Sequence, residues 1–302
     1  MTHHSFIDLY AGCGGFSHGL EKEKFKGKLA VEIDKNCCET YSKNLKTKII
    51  CEDIRSIKDK DIPNSDIIVG GFPCQPFSLS GLQNGFNDET GGDLFNQCLR
   101  FIKKSNPKIF LLENVTGFIS LKKGYYLNLA IKKLTKLGYH VDYKILNTKN
   151  FSIPQNRKRL FIMGNKIGVN NMYPKEDLKK IISVKESIEE IKKNPNKYFN
   201  NDPMKHTDRI KRRFNAVKPG ETSTDAMKRD PSLGTAKISK QCYRRLKPNE
   251  PAPTVVANFV TTTIHYSEDR NLTAREAARI QSFPDNFIFE GYKTRMSWQK
   301  DL

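Results

Sequence analysis

Through about residue 165, short apolar runs rich in β-branched residues alternate with stretches whose apolar positions recur every three or four residues. The runs "FIDLYA", "KLAVEI", "DIIVGG", "KIFLLEN", "VDYKIL" and "RLFIMG" predict strands. The intervening periodic stretches predict helices, and this rhythm implies an α/β fold with a doubly wound, mostly parallel sheet. In "DLFNQCLRFIKK", Leu94, Phe95, Cys98, Leu99 and Ile102 recur at helical spacing, with Asp93 as the expected N-cap and Cys98 as a core residue. From about 166 to 270 the pattern loosens into polar, proline-containing, basic segments, which predicts a smaller irregular domain. The boundaries implied are 1–170 for the first domain and 171–302 for the second. Within the second, "NLTAREAARIQSF" predicts a helix opened by a Thr273–Glu276 capping box, with Arg275 and Arg279 on one face.

Composition narrows the class. No apolar run approaches the roughly 18 residues of a membrane span, and the N-terminus lacks a secretory layout, so a cytoplasmic protein without membrane contact is expected. The seven cysteines are odd in number and form no CxxC pair, which argues against a disulfide framework and a tetrahedral metal site. Reduced thiols and no metal are expected, with Cys13, Cys37, Cys38, Cys51 and Cys242 read as packing residues. The formal charge of +19 suggests a polyanionic partner, although lysine is spread along the whole chain. Arginine is more localised: ten of its 14 positions lie between Arg209 and Arg295. That concentration places a basic recognition surface in the C-terminal third.

In doubly wound sheets ligands gather at the carboxyl ends of strands. The first run opens into "AGCGG", where glycines permit a tight turn and close approach of backbone to a ligand. Ser17 stands where the third glycine of a dinucleotide fingerprint would fall, so the turn is not that motif. Glu32 ends the second run, about 20 residues on, where a carboxylate can bind ribose hydroxyls. Together they suggest an adenosine-type cofactor. "DIIVGGFPCQPFS" sets Cys74 past a buried strand, in a loop stiffened by Pro73 and Pro76, which fits a nucleophile better than a packing residue. Glu113 ends the run "FLLENV", where it either holds a proton or serves as a turn residue. Arg157 and Arg159, two apart at the mouth of a strand, either hold an oxygen or a carboxylate or are exposed surface cations.

"FIDLYAGCGGF", Glu32, "EDI" with Asp53, "GGFPCQPFS", "ENV", "QNRKR" and "LTAREAARIQSFPD" follow one another in an order that resembles the DNA (cytosine-5)-methyltransferases of bacterial restriction-modification systems. The match covers most of the chain. The resemblance implies that Cys74 attacks C6 of a cytosine flipped out of double-stranded DNA, and that Glu113 binds and protonates N3. It gives Arg157 and Arg159 the base oxygen, Glu113 and nearby phosphate. It implies S-adenosylmethionine as methyl donor, released as S-adenosylhomocysteine, in a site lined by Tyr10, Gly12, Cys13, Gly14, Gly15, Glu32, Ile33, Asp53, Ile54, Pro73 and Leu94. Residues 166–265 would be the target-recognition region. The family normally continues into a Gly-Asn-x-Val segment that completes the first domain, whereas this sequence runs to Leu302 without it. A truncated chain, or one completed by another polypeptide, is therefore expected, with a cognate endonuclease in the same system. The rival readings are an RNA cytosine-5 methyltransferase and a DNA-binding remnant without turnover.

Overall fold

In the computed structural model, residues 4–73, 92–234, 243–256 and 262–290 are described. The expectation of a mostly parallel sheet holds. Strands β1 (Ser5–Leu9), β2 (Lys26–Glu32), β3 (Ile49–Cys51), β4 (Ile67–Gly70), β5 (Ile109–Val115), β6 (His140–Asn147), β7 (Gln155–Asn156) and β8 (Lys158–Asn165) follow in sequence. All but β7 join one seven-stranded sheet of order β3-β2-β1-β4-β5-β8-β6. β1 pairs parallel with β2 and β4, and β4 with β5, whereas β8 runs antiparallel to β5. The strand β3 has no counterpart among the apolar runs. It is three residues long and only partly buried, so it carries too little pattern to be read in advance.

Helices α1 (Gly15–Lys22), α2 (Lys35–Asn44), α3 (Gly92–Ser105), α4 (Gly117–Ser120) and α5 (Tyr125–Thr135) connect these strands. Helix α3 begins at Gly92, so Asp93 lies inside it and is not its N-cap. Its apolar face packs as the spacing predicted: Phe95, Cys98 and Ile102 are fully buried with Ile7, Leu9, Ile68 and Phe110 in the main core. Burial pushes the Cys98 thiol up to about 12, as befits a packing residue. Cys13 and Cys38 are also buried, but Cys51 is exposed, so the packing role expected of it does not hold.

By packing, the described residues divide into two units. One takes in those of Met1–Leu146 and Lys158–Lys175; the other those of Asn147–Arg157 and Glu176–Leu302. The second unit contains α6 (Val184–Lys193), α7 (Asp208–Asn215), α8 (Ser223–Arg229) and α9 (Ala274–Ile280), with β9 (Arg244–Arg245), β10 (Ala252–Pro253) and β11 (Thr263–Ile264). Among the described residues its strands form two short pairs, β10 with β7 and β11 with β9. Its apolar clusters are correspondingly small: one gathers Val184, Ile188, Leu246, Leu272 and Ile280, the other Phe214, Val217, Met227 and Ile264.

Guanidinium groups supply much of what β-ladders supply elsewhere. Arg245, 5% exposed, donates to the carbonyls of Phe214, Val217, His265 and Glu268 and to Asp269. Arg275 is fully buried and donates to the carbonyls of Phe199, Pro284 and Phe287. Arg270 grips both oxygens of the buried Glu276, and Arg279 pairs with Asp285. The capping box of Thr273 and Glu276 is present at α9. The arginine concentration therefore overstates the basic surface of this region, because several of these side chains face inward. A guanidinium carries five donors in a fixed fork, suited to carbonyls that irregular backbone leaves unpaired.

Candidate active site at the carboxyl edge of the sheet

The turn after β1 is built from left-handed backbone, with Tyr10, Gly12 and Gly14 at φ of 57°, 53° and 92°. At Gly14 a side chain is excluded twice. The torsion disfavours one, and a Cβ would lie 2.2 Å from Leu45 Cδ1. At Gly12 a Cβ would meet nothing within 4 Å, so open space lies directly over the backbone there. Gly15 is the first residue of α1, and Cys13 points into the protein with its Sγ 3.8 Å from that of Cys37.

Glu32 faces this turn from the end of β2. Its Oε2 accepts from Gly12 N (2.8 Å), and its Oε1 from the backbone N–H of Ile33 (2.8 Å) and Asp34 (2.9 Å). The carboxylate is thereby fixed between the glycine turn and the start of α2, as an acceptor-only group suited to hydroxyl donors. Ile33 beside it is 64% exposed, offering apolar surface to a ring. The Tyr10 hydroxyl donates to the Leu94 carbonyl (2.6 Å), tying the turn to the first turns of α3. Asp53 caps the 3-10 turn at Ile54–Ser56 and forms a two-point ion pair with Arg55, which holds its carboxyl below the usual range. The Ile54 side chain is packed in the main core. Open space at Gly12, a fixed acceptor at Glu32 and an exposed apolar side chain at Ile33 fit an adenosine-type cofactor.

Three strands away along the same edge stands Glu113. In the antiparallel register β5 Val115 faces β8 Arg159, which makes Glu113 and Arg159 diagonal neighbours on one face. Arg159 Nε lies 2.7 Å from Glu113 Oε1, and the two side chains are 18% and 22% exposed. A Cβ on Gly71 would lie 3.4 Å from Glu113 Oε2, so the backbone leaving β4 runs beside this carboxylate. That backbone continues through Phe72 and the half-buried Pro73 to Cys74, which lies outside the described residues. Arg157 belongs to the second unit, where its backbone N–H donates to Thr148 Oγ1 and its carbonyl accepts from Thr148 N–H.

Sequence reasoning passed over the residues that hold this edge in place. Asn114 is 2% exposed and donates through Nδ2 to the Phe72 carbonyl (3.1 Å). Phe72 itself is wedged against Phe95 and Phe118. The signal was available. With period-two alternation, a residue next to an edge-facing glutamate must point into the protein, and a buried amide needs a partner.

The sheet order and the flanking helices are those of the S-adenosylmethionine-dependent methyltransferase fold. Within that class the chain belongs to the C-5 cytosine-specific DNA methylase family, whose model matches residues 4–300. It is 36% identical over 345 residues to the Type II methyltransferase M.DdeI of Desulfomicrobium norvegicum, covering 99% of this chain and 83% of that protein. It is 34% identical over 307 residues to the Type II methyltransferase M.NgoFVII of Neisseria gonorrhoeae, covering 97% and 81%. Among solved structures, it resembles a protein described as a DNA modification methyltransferase encoded within a prophage (E. coli). The TM-score there is 0.75, at 25% identity over 98% of this chain and 94% of that one. Among the described residues, no group of three or more potential ligands could hold a metal ion, and no helix is long and apolar enough to cross a membrane.

Proposed function

We propose that this chain methylates C5 of a cytosine flipped out of a specific double-stranded DNA sequence, as the modification enzyme of a restriction-modification system with a cognate endonuclease. The observation that carries the reading is the Glu113–Arg159 pair, set at the sheet edge beside the backbone that leads to Cys74. The C5=C6 bond of cytosine is a poor electrophile until its ring accepts a proton or a strong hydrogen bond at N3. Glu113 is placed to supply that proton, while Arg159 fixes the carboxyl group's direction. Cys74, as its thiolate, then forms a bond to C6, and the displaced electron pair makes C5 nucleophilic. S-adenosylmethionine, when bound, supplies an electrophilic methyl group for C5. Water then takes the C5 proton, the ring's electrons expel Cys74 as a thiolate, and N3 returns its proton to Glu113, which restores the C5=C6 bond.

Tyr10, Gly12, Gly14, Gly15, Glu32, Ile33 and Asp53, with Cys13, Ile54, Pro73 and Leu94 as supports, would hold the donor. Glu32 would accept from its ribose hydroxyls and Ile33 would cover its base. The second unit would read the DNA. Its exposed Lys205 and Arg209 suit phosphate contacts, and Arg157 suits phosphate or base oxygen. Flipping a base costs a few kcal/mol, which contacts in the closed site must offset.

Duplex DNA carrying 5-fluorocytosine tests the proposal, because fluorine at C5 blocks the elimination step and leaves the adduct in place. Wild-type protein should form a covalent adduct that survives denaturation, and Cys74→Ser should form none. An adduct in the serine variant would refute the nucleophile, and preferential methylation of competing RNA would refute the substrate.

A further inference from the structure

Strand β1 lies inside the sheet, between β2 and β4, and its residues are buried throughout, yet it carries a carboxylate, Asp8, with 0% exposure. Buried carboxylates are expensive unless hydrogen-bonded, so what Asp8 touches is informative. Its Oδ2 accepts from Ser17 Oγ (2.7 Å) and from Ser17 N (3.2 Å). Ser17 is the third residue of α1, and its backbone N–H is one of the donors that a helix start leaves without an intrahelical acceptor. The residue before the helix is Gly14, which has no side chain with which to cap it. Asp8 therefore caps α1 from within the neighbouring strand. The chain of bonds continues, because Tyr41 of α2 donates to Ser17 Oγ (2.6 Å). The other oxygen, Asp8 Oδ1, is buried with no hydrogen-bond partner among the described residues.

We propose that Asp8 is a positioning residue for the cofactor turn: through Ser17 it sets the first turn of α1, and thereby the backbone of residues 10–15. The turn needs such a hold, because three of its five residues from Tyr10 to Gly14 are left-handed and Gly14 has room for no side chain. It also accounts for Ser17 standing where a dinucleotide fingerprint would have glycine, since here the position must supply a hydroxyl. The inference rests on the reading that S-adenosylmethionine binds at this turn.

Asp8 faces Ser17 of α1, Tyr41 of α2 and, at longer range, Glu32 of β2, whereas the residues registered beside it on β2 and β4 are the apolar Ala30 and Val69. Burial raises its pKa to about 7, opposed by the bonds from Ser17. A carboxyl whose folded value lies above its unfolded value of roughly 4 contributes stability at low pH that is lost as pH rises through about 7. The wild-type protein should therefore lose part of its unfolding stability between about pH 4 and pH 7. Asp8→Asn should remove that part of the dependence.

Four variants of the full chain test the proposal: Asp8→Ala, Asp8→Asn, Ser17→Ala and Glu32→Gln. The first readout is amide hydrogen exchange without cofactor. In Asp8→Ala and Ser17→Ala, amides of residues 12–17 should exchange at least tenfold faster, while those of β4 and β5 keep wild-type protection. Asp8→Asn keeps an acceptor for Ser17 and should restore slow exchange. The second readout is calorimetric S-adenosylmethionine binding, which should weaken about tenfold in Asp8→Ala and Ser17→Ala and less than threefold in Asp8→Asn. KM for the cofactor should rise with kcat unchanged within about twofold. Unchanged exchange at residues 12–17 in both alanine variants, or a uniform loss of protection across the sheet, would overturn the positioning role. Glu32→Gln separates the two ideas. If its cofactor affinity equals that of wild type, the assigned cofactor site is wrong, whereas the exchange data still judge Asp8.

Discussion

The two units solve one problem in different ways. In the first, seven strands pair with one another, so backbone carbonyls are satisfied by regular ladders and the interior is free to be apolar around Ile7, Phe95 and Phe110. In the second, the described residues pair in two short ladders, and the carbonyls of Phe199, Phe214, Val217, Pro284 and Phe287 are met by Arg245 and Arg275. Irregular chain thus carries its polar bookkeeping in side chains. One residue type then serves both as internal scaffold and as anion contact, so arginine density is a poor measure of a nucleic-acid surface.

Removing one guanidinium should break the second unit hardest. Arg275→Ala leaves the Phe199 and Phe287 carbonyls without this donor, each worth about 1–3 kcal/mol, while Pro284 keeps the Phe287 N–H, and it opens a cavity besides. A loss of at least about 4 kcal/mol is expected in chemical denaturation, with a smaller loss for Arg275→Lys, whose single ammonium can reach only some of the three. A loss below about 1 kcal/mol would mean that water replaces the guanidinium freely and that the contrast between units is false.

The first unit uses such ties more sparingly: Arg100 donates to the Ile54 and Ile57 carbonyls at its surface, and Asn114 to the Phe72 carbonyl at the sheet edge that leads to Cys74. Asn114→Ala should cost about 1–3 kcal/mol of stability. Its effect on methyl transfer should be larger than that implies, because the backbone leading to Cys74 loses its anchor. Steady-state kinetics at a temperature where the variant is fully folded would check this, and an unchanged kcat would assign Asn114 to packing alone.

The smallest effect is expected where the support is purely local. Asp34 caps α2 through the backbone N–H groups of Asn36 and Cys37. Asp34→Ala should cost about 1 kcal/mol in the same denaturation measurement. A cost matching that of Arg275→Ala would erase the distinction between local caps and tertiary ties.

How far the sequence could be read follows the same division. Strands β1 and β4 were legible as continuous apolar runs because they are buried on both faces, and β2, β5, β6 and β8 by shorter or alternating runs of β-branched and other apolar residues. Strand β3 was not, being short and partly buried. The Thr273–Glu276 box was legible because its partners are three residues apart. Its neighbours Arg275 and Arg279 were expected on one helical face, which says nothing of whether that face meets water or protein. Glu113 could be placed at a strand end, but its pairing with Arg159 depends on antiparallel register with a strand 46 residues further along the chain.

By itself, then, the sequence determined what is periodic or adjacent: the α/β rhythm, the glycine turn, the caps and the ordered motifs that mark the family. Tertiary structure alone decided which polar groups face inward, making Asp8 a buried cap, Asn114 an anchor and Arg275 a scaffold. The physical reason is that a polar side chain's role is set by the unpaired donor or acceptor it meets, and that partner is usually contributed by a distant part of the chain.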